Sequence, residues 1–382
     1  MFKEQIYKDY IEKIPNNAKL VMFGTCEVAV KMIEDIKHYK PNCKILGFID
    51  NYKKEIKNFL NLPLWTLNEF IELNLDYDYV VMSTREQFGI LNNIFKIYNV
   101  PVIYQTDFMH RYYRNCFDKL GKLNDENFKN VINIFKNQDD KDLYEFIFRV
   151  RCANINSREL SNIYERYNLP LGSWAPIEYQ YLEKINKDAI TKIIDAGLYN
   201  GLNEVAFNKM LPNLEYIYGF EVLYDRVKLS FIDNIIKHKL KVIPYCLGEK
   251  EDSVNFWINK INPDSSFCME LTDNTTPKDI TRFEKLKVPV TTINKYCREN
   301  NIKYDFLKMD IEGAELPALK GGLETIKEFR PQLAISIYHS TSDFVDIPQF
   351  LNNNLINYTF KIGHYSYNLP ETVLYAIPDE LT

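Results

Sequence analysis

The segment Asp195-Ala-Gly197-Leu-Tyr-Asn-Gly201 lies between a short apolar run and a helical stretch, and its residue types suggest chemistry. Gly197 ends the run where a side chain would keep a ligand from the backbone, and Gly201 permits a tight turn into a helix N-terminus. Asp195, at the strand mouth, can bond an ammonium group directly or through water. Twenty residues after Gly201 comes Glu221, an acid at the end of the next apolar run. An acid there can accept both hydrogen bonds of a ribose diol. Together these features describe a ligand lying outside the carboxyl ends of parallel strands. A nicotinamide dinucleotide, S-adenosylmethionine and a purely structural turn all remain open on this spacing.

The elements that must hold these residues follow a strand–helix alternation. Residues 193–197 read as a first strand, 202–210 as a helix, 216–221 as a second strand, and 225–238 as a helix. Residues 241–246 read as a third strand and 254–258 as an extra one; Val288 to Thr292 leads into a helix ending near Asn300. A fourth strand, 306–309, precedes a helix over 314–327 that is expected to break at Gly321-Gly322. A fifth strand spans 332–338, and the runs 358–362 and 372–377 pair as final antiparallel strands. Upstream, apolar runs at 18–24, 45–49, 79–83 and 102–104 alternate with helical stretches and describe a smaller α/β layer. Residues 108–185 carry mainly helical periodicity, with a loop over 168–176. The expected division is therefore 1–107, a helical connector over 108–185, and 186–382.

Bulk properties bound the function. The 382 residues carry a net charge of -5, with 46% hydrophobic and 26% charged residues. That balance describes a globular chain without the basic footprint of a nucleic-acid binder. Seven cysteines lack paired spacing, so neither a disulfide framework nor a structural zinc site is expected. The N-terminal residues form a charged amphipathic stretch rather than a signal peptide, and no window reaches the uncharged length of a membrane span. A cytoplasmic location is the expectation.

Several segments occur in a fixed order: Asp195 to Gly201, Phe220-Glu221, Cys246-Leu-Gly248, and Phe306-Leu-Lys-Met-Asp-Ile-Glu-Gly-Ala-Glu-Leu316 with Lys320-Gly321. This order resembles the FkbM-type methyltransferases, with their D-x-G-A-x-x-G turn, F-E-P step, A-L-G step and K-I-D-V-E-G-A-E block. The tail is similar to one branch of that family at Ile337-Tyr-His339, Asp343, Ile347-Pro348, Gly363-His-Tyr-Ser366 and Glu371-Thr-Val-Leu-Tyr375. The resemblance covers about residues 170–378. It implies a Rossmann-like class I methyltransferase sheet, parallel with an antiparallel final strand, and S-adenosylmethionine as methyl donor. It further implies cofactor contacts from Asp195, Gly197, Gly201, Glu221, Val222, Cys246, Leu247 and Asp310. Three departures, Leu198, Val222 and Asn200, are expected to reshape a pocket wall rather than remove a polar anchor.

Methyl transfer from a sulfonium needs an acceptor held in line and, for a hydroxyl, a group that takes its proton. Asp310, Glu312 and His339 fall at the ends of the fourth and fifth strands and are the catalytic candidates. Glu312 and Glu315 serve equally well as partners of a helix dipole, and His339 as a satisfied structural residue. His364 lines the acceptor pocket or a hairpin. Asp310, Glu312 and His339 also match a divalent-metal set for Mg²⁺ or Mn²⁺, although a metal-free site is the favoured expectation. Ser265 and Ser266 lie in a segment that covers the cofactor or forms a surface excursion. The expected substrate is a carbohydrate or carbohydrate-linked small molecule, methylated on oxygen in surface glycan biosynthesis. Upstream, Gly24 and Asp50-Asn51 occupy the places of a Rossmann-like phosphate turn and ribose-binding strand end. Cys26 and Ala29 stand where the other two glycines belong, which favours a scaffold, partner-docking or homo-oligomer role. A nucleotide-sugar or dinucleotide enzyme and a non-catalytic assembly protein are the alternatives.

Overall fold

A computed structural model describes residues 8–25, 27–51, 57–83, 102–103, 125–152, 177–199, 201–223, 236, 238–259, 267–268, 283–340, 342–366 and 370–382. Two compact units divide the chain: residues 1–111 with 168–173, and residues 112–167 with 174–382. Residues 225–235 and 237 of the expected helix over 225–238, the expected loop over 168–176, and residues Cys26, Asn200, Ser265 and Ser266 lie outside the described residues.

The first unit opens with α1 (Lys8–Lys13). Then come β1 (Lys19–Phe23), α2 (Glu27–Tyr39), β2 (Lys44–Ile49), β3 (Asn58–Phe59), β4 (Leu62–Trp65), α3 (Leu67–Glu72), β5 (Tyr79–Met82) and β6 (Val102–Ile103). Its sheet runs β3-β4-β2-β1-β5-β6. All neighbours are parallel except the β3–β4 pair. The runs read as strands are buried on both faces, which explains their lack of polar alternation. At the end of β1, Gly24 adopts φ +99°. There the Thr25 hydroxyl donates to Asp50, and the Ser83 hydroxyl lies 2.9 Å from the Phe23 carbonyl and 3.0 Å from that of Gly24.

In the second unit, α4 (Asp125–Ile132), α5 (Gln138–Cys152) and α6 (Ile177–Gln180) come first. They precede β7 (Lys192–Ala196), α7 (Leu202–Met210), β8 (Tyr216–Phe220), β9 (Leu240–Ile243), β10 (Cys246–Leu247), β11 (Asp252–Asn259) and β12 (Phe267–Cys268). Next are β13 (Phe283–Thr291), α8 (Ile293–Glu299), β14 (Phe306–Met309), α9 (Glu315–Phe329), β15 (Gln332–Ser336), α10 (Asp343–Asn354), β16 (Tyr358–His364) and β17 (Thr372–Pro378). The main sheet is ordered β16-β17-β15-β14-β7-β8-β9. Its five strands from β15 to β9 are parallel, while β17 runs antiparallel to both β15 and β16. The chain runs outward from β7 through β8 to β9, then returns to β14 on the other side. The carboxyl ends of β7 and β14 therefore flank the topological switch point, where open α/β sheets bind ligands.

Two sequence expectations change, at the Gly321-Gly322 pair and at the end of the third strand. Within the second unit, α5 packs against α10 and β16. Tyr144 stacks on Phe344 at 4.4 Å and donates to its carbonyl, and the Ile362 amide bonds Asp140. The helix over the Gly321-Gly322 pair is continuous. Its glycines are where it meets other elements: a Cβ on Gly321 would lie 2.0 Å from the Gly248 carbonyl oxygen, and one on Gly322 would lie 3.1 Å from Ile293. The residues expected to end the third strand form instead β10, in a separate sheet ordered β10-β13-β11-β12. Here Cys246 packs with Val222, Val254, Val288 and Val290.

Among the described residues no helix is long and apolar enough to cross a membrane. Gly321→Ala is expected to cost about 2–3 kcal/mol through overpacking against backbone that cannot rotate away. Thermal unfolding should show a fall in Tm of several degrees.

Candidate active site

Lys308 stands directly opposite Asp195 across the parallel β14–β7 pair. Both side chains are buried, and the ammonium lies 2.9 Å from the Asp195 carboxylate. It also donates to the Gly197 carbonyl. Asp195 is therefore engaged below the glycine turn, where it serves Lys308 rather than standing open at the strand mouth. Wholly buried Glu204, in the first turn of α7, is the third member of the group. Burial, then the Asp195 charge, pushes its carboxyl well above the usual range. Burial opposes the charged form of Lys308, but the charges of Asp195, Asp310 and Glu204 outweigh it and raise the ammonium pKa.

Gly197 has φ +89° and Gly201 φ +80°. A Cβ on Gly197 would fall 1.8 Å from the Asp310 carbonyl oxygen. The residue is thus required by the approach of two strand ends. Glu221, at the end of β8, accepts the Tyr199 amide at 2.9 Å and the Leu223 amide at 2.8 Å. It fixes the turn's tip while presenting a carboxylate at the crevice; burial raises its pKa. The departures at 198 and 222 sit in different surroundings. Leu198 is buried, packs with Ile236, and covers Gly219, and Val222 belongs to the apolar patch around Cys246. Leu247 is likewise buried.

The crevice floor between β14 and β15 gathers the acids. Asp310 accepts the Tyr181 hydroxyl at 2.7 Å and the Tyr338 hydroxyl at 3.3 Å. His339 Nε2 lies 3.2 Å from Asp310 Oδ1, and Nδ1 lies 3.0 Å from Glu315 Oε1. Glu312 is farther, 3.9 Å from Nε2, and half-exposed on the rim. Its φ of +57°, followed by +97° at Gly313, makes the strand-to-helix bend. Glu315 is more than a dipole partner: it is fully buried and accepts the Ile311 amide at 2.8 Å. Burial pushes Asp310 up, but the adjacent imidazole of His339 and the charge of Lys308 hold it well below the usual carboxylate range. Burial lowers the His339 pKa, while Glu315, Glu312 and Asp310 together raise it well above the ordinary value.

Sequence reasoning missed several members. Tyr181 follows α6 at a position with no motif, and Tyr338 had only its place beside His339 to mark it. Glu371, whose carboxyl burial and the Asp310 charge push up to about 8, accepts from Gln180 and lies 3.4 Å from the Tyr338 hydroxyl. Asp343, pushed up to about 7 by burial and the Glu315 charge, exchanges bonds with Ser340 at the start of α10. His364 is buried in β16 and bonds Thr372 across the hairpin at 2.9 Å.

Residues 195–361 match the family model described as the methyltransferase FkbM domain. No curated protein matches the chain. Among solved structures, the methyltransferase FkbM from Methylobacillus flagellatus KT aligns at 19% identity and a TM-score of 0.61, over 97% of this chain and 93% of that one. At this identity the likeness concerns the fold. The O-methyltransferase TomG from Streptomyces achromogenes, in complex with SAM, aligns at 9% identity and a TM-score of 0.34, over 57% of this chain and 88% of that one. The O-methyltransferase from Bacillus cereus, in complex with SAH, gives 11% and 0.33, over 61% and 97%.

Two measurements probe the geometry. Lys308→Met leaves Asp195 buried without its cation and is expected to destabilise the protein by about 3–5 kcal/mol, read by denaturant unfolding. Glu221→Gln removes a charge-assisted acceptor worth about 1.5–3 kcal/mol. Calorimetric titration with S-adenosylhomocysteine should show affinity lower by roughly one to two orders of magnitude.

Proposed function

We propose that residues 195–361, which match the methyltransferase FkbM family model, use S-adenosylmethionine as methyl donor to methylate a hydroxyl of a carbohydrate or carbohydrate-linked small molecule. One observation carries the reading. Asp310 ends β14 at the switch point, against Gly197 of the glycine turn, with two tyrosine hydroxyls and an imidazole gathered on its carboxylate.

The residues divide the work in this way. The turn from Gly197 to Gly201 offers a cradle without side chains at its two glycines, and Glu221 supplies an acceptor pair suited to a ribose diol. Bound there, the donor supplies an electrophilic methyl group on a sulfonium. Asp310, Tyr181 and Tyr338 orient the acceptor hydroxyl, and their mutual bonds fix the geometry before substrate arrives. As the C–O bond forms and the C–S bond breaks, the acceptor oxygen becomes strongly acidic, so a carboxylate is a sufficient base. Asp310 takes that proton. A floor rich in carboxyl, amide and phenol groups suits a polyhydroxylated acceptor, and the family resemblance of the tail supports the same class.

Asp310→Asn keeps the shape and removes the proton acceptor. The expected result is a kcat about 10²–10⁴-fold lower, with S-adenosylhomocysteine affinity held within a few fold in calorimetry. Acceptor class is tested by mass spectrometry of cell-surface glycans with and without the protein, seeking the gain of one CH₂. An unchanged glycan profile, together with turnover on a non-carbohydrate acceptor, sinks the substrate assignment.

A further inference from the structure

The acid cluster at the β14–β15 strand ends has more carboxyl groups than one imidazole can balance. Asp310, Glu315 and His339 each direct one ligand atom into a common space, all within 4.8 Å of one another. A divalent ion with bonds of about 2.1 Å holds neighbouring donors roughly 3 Å apart and opposite donors about 4.2 Å apart. His339 offers an ion one ring nitrogen: Nε2, 3.2 Å from Asp310, lies at the neighbouring-donor spacing, while Glu315 is 3.0 Å from the other nitrogen, Nδ1.

A second observation is independent of the acidic count. The His339 side chain is 7% exposed, and neither ring nitrogen meets hydrogen-bond geometry with a partner; the buried Glu315 Oε2 is likewise without one. Buried polar atoms left in this state are costly unless something completes them. Lys308, the buried ammonium nearby in the same sheet, is committed to Asp195 and the Gly197 carbonyl. Two carboxylates and one imidazole form a hard, mixed oxygen–nitrogen set. Glu312, expected from sequence as the second carboxylate, is replaced in this set by the buried Glu315.

We propose that Asp310, Glu315 and His339 bind a hard divalent cation of the Mg²⁺ or Mn²⁺ class, which presents its remaining positions to vicinal oxygens of the acceptor. The inference deepens the proposed function and rests on the same crevice. It makes Glu315 a ligand and gives the half-exposed Glu312 the rim of the acceptor entrance.

The test is a calorimetric titration of the chelator-treated full chain with Mn²⁺, followed by the loss of the free-ion electron paramagnetic resonance signal. One site per chain is expected. His339→Gln should weaken Mn²⁺ at least tenfold, and Asp310→Asn should do the same; two variants are used so that misfolding of one does not decide the matter. Thermal unfolding and S-adenosylhomocysteine titration in chelator report whether each variant is folded. Absence of a Mn²⁺ site in the wild type, or a site indifferent to both substitutions, overturns the inference. If S-adenosylhomocysteine still binds in that case, the methyltransferase reading stands and only the cation falls. If Mn²⁺ binds but S-adenosylhomocysteine does not, the donor site is what fails.

Discussion

A lysine ammonium removed from water at the centre of a parallel sheet must find its compensation in the protein, and Lys308 finds it in Asp195 on the neighbouring strand and in the Gly197 carbonyl. That pair joins the two strands that flank the switch point. The register is set residue by residue, with Lys308 opposite Asp195 and Met309 opposite Ala196. The Asp310 amide then bonds the Ala196 carbonyl at 2.8 Å. Glycine at 197 is the consequence, because the carbonyl of Asp310 occupies the volume a side chain would need. The glycine turn and the Asp310 carboxylate are thereby held by one pair of hydrogen-bonded strand ends, in which moving one displaces the other.

From that piece the acid-rich floor extends toward β15 and β17. Its members come from far apart in the chain: Tyr181 after α6, Asp310 after β14, His339 after β15 and Glu371 before β17. The antiparallel β17 places Glu371 against Tyr338, while Gln180 reaches Glu371 from the other side. Burial holds two of the carboxyl groups, Glu371 and Asp343, near neutrality, so the floor mixes charged acceptors with neutral donors. Such a surface can both give and receive hydrogen bonds with a hydroxylated acceptor.

Much of this was legible in the sequence because the signals are local. Apolar runs ending in Gly or Asp mark parallel strands buried on both faces, and the strand ends at Asp195, Glu221 and Asp310 follow from them. The family-like block from Lys308 to Glu315 added the chemistry. Less legible were features that depend on what packs against a residue. The Gly321-Gly322 pair reads as a helix break from propensity alone, yet it is where α9 meets the Gly248 backbone and Ile293. Leu198 reads as a pocket wall but faces the core over Gly219.

Residue type and spacing alone determined the alternating α/β plan, the glycine turn, and the order of acids along the strand ends. These are encoded over a few residues by backbone freedom and hydrophobic period. Only tertiary structure decided which acids are paired, which are buried neutral, and which surround His339. Asp195 turned inward to Lys308, Glu315 displaced Glu312 beside the imidazole, Tyr181 joined the site from a segment with no motif, and Glu371 joined it from a tail block that had marked no site residue. The physical reason is that charge pairing and desolvation are set by distance and burial across the sheet, which spacing along the chain does not specify.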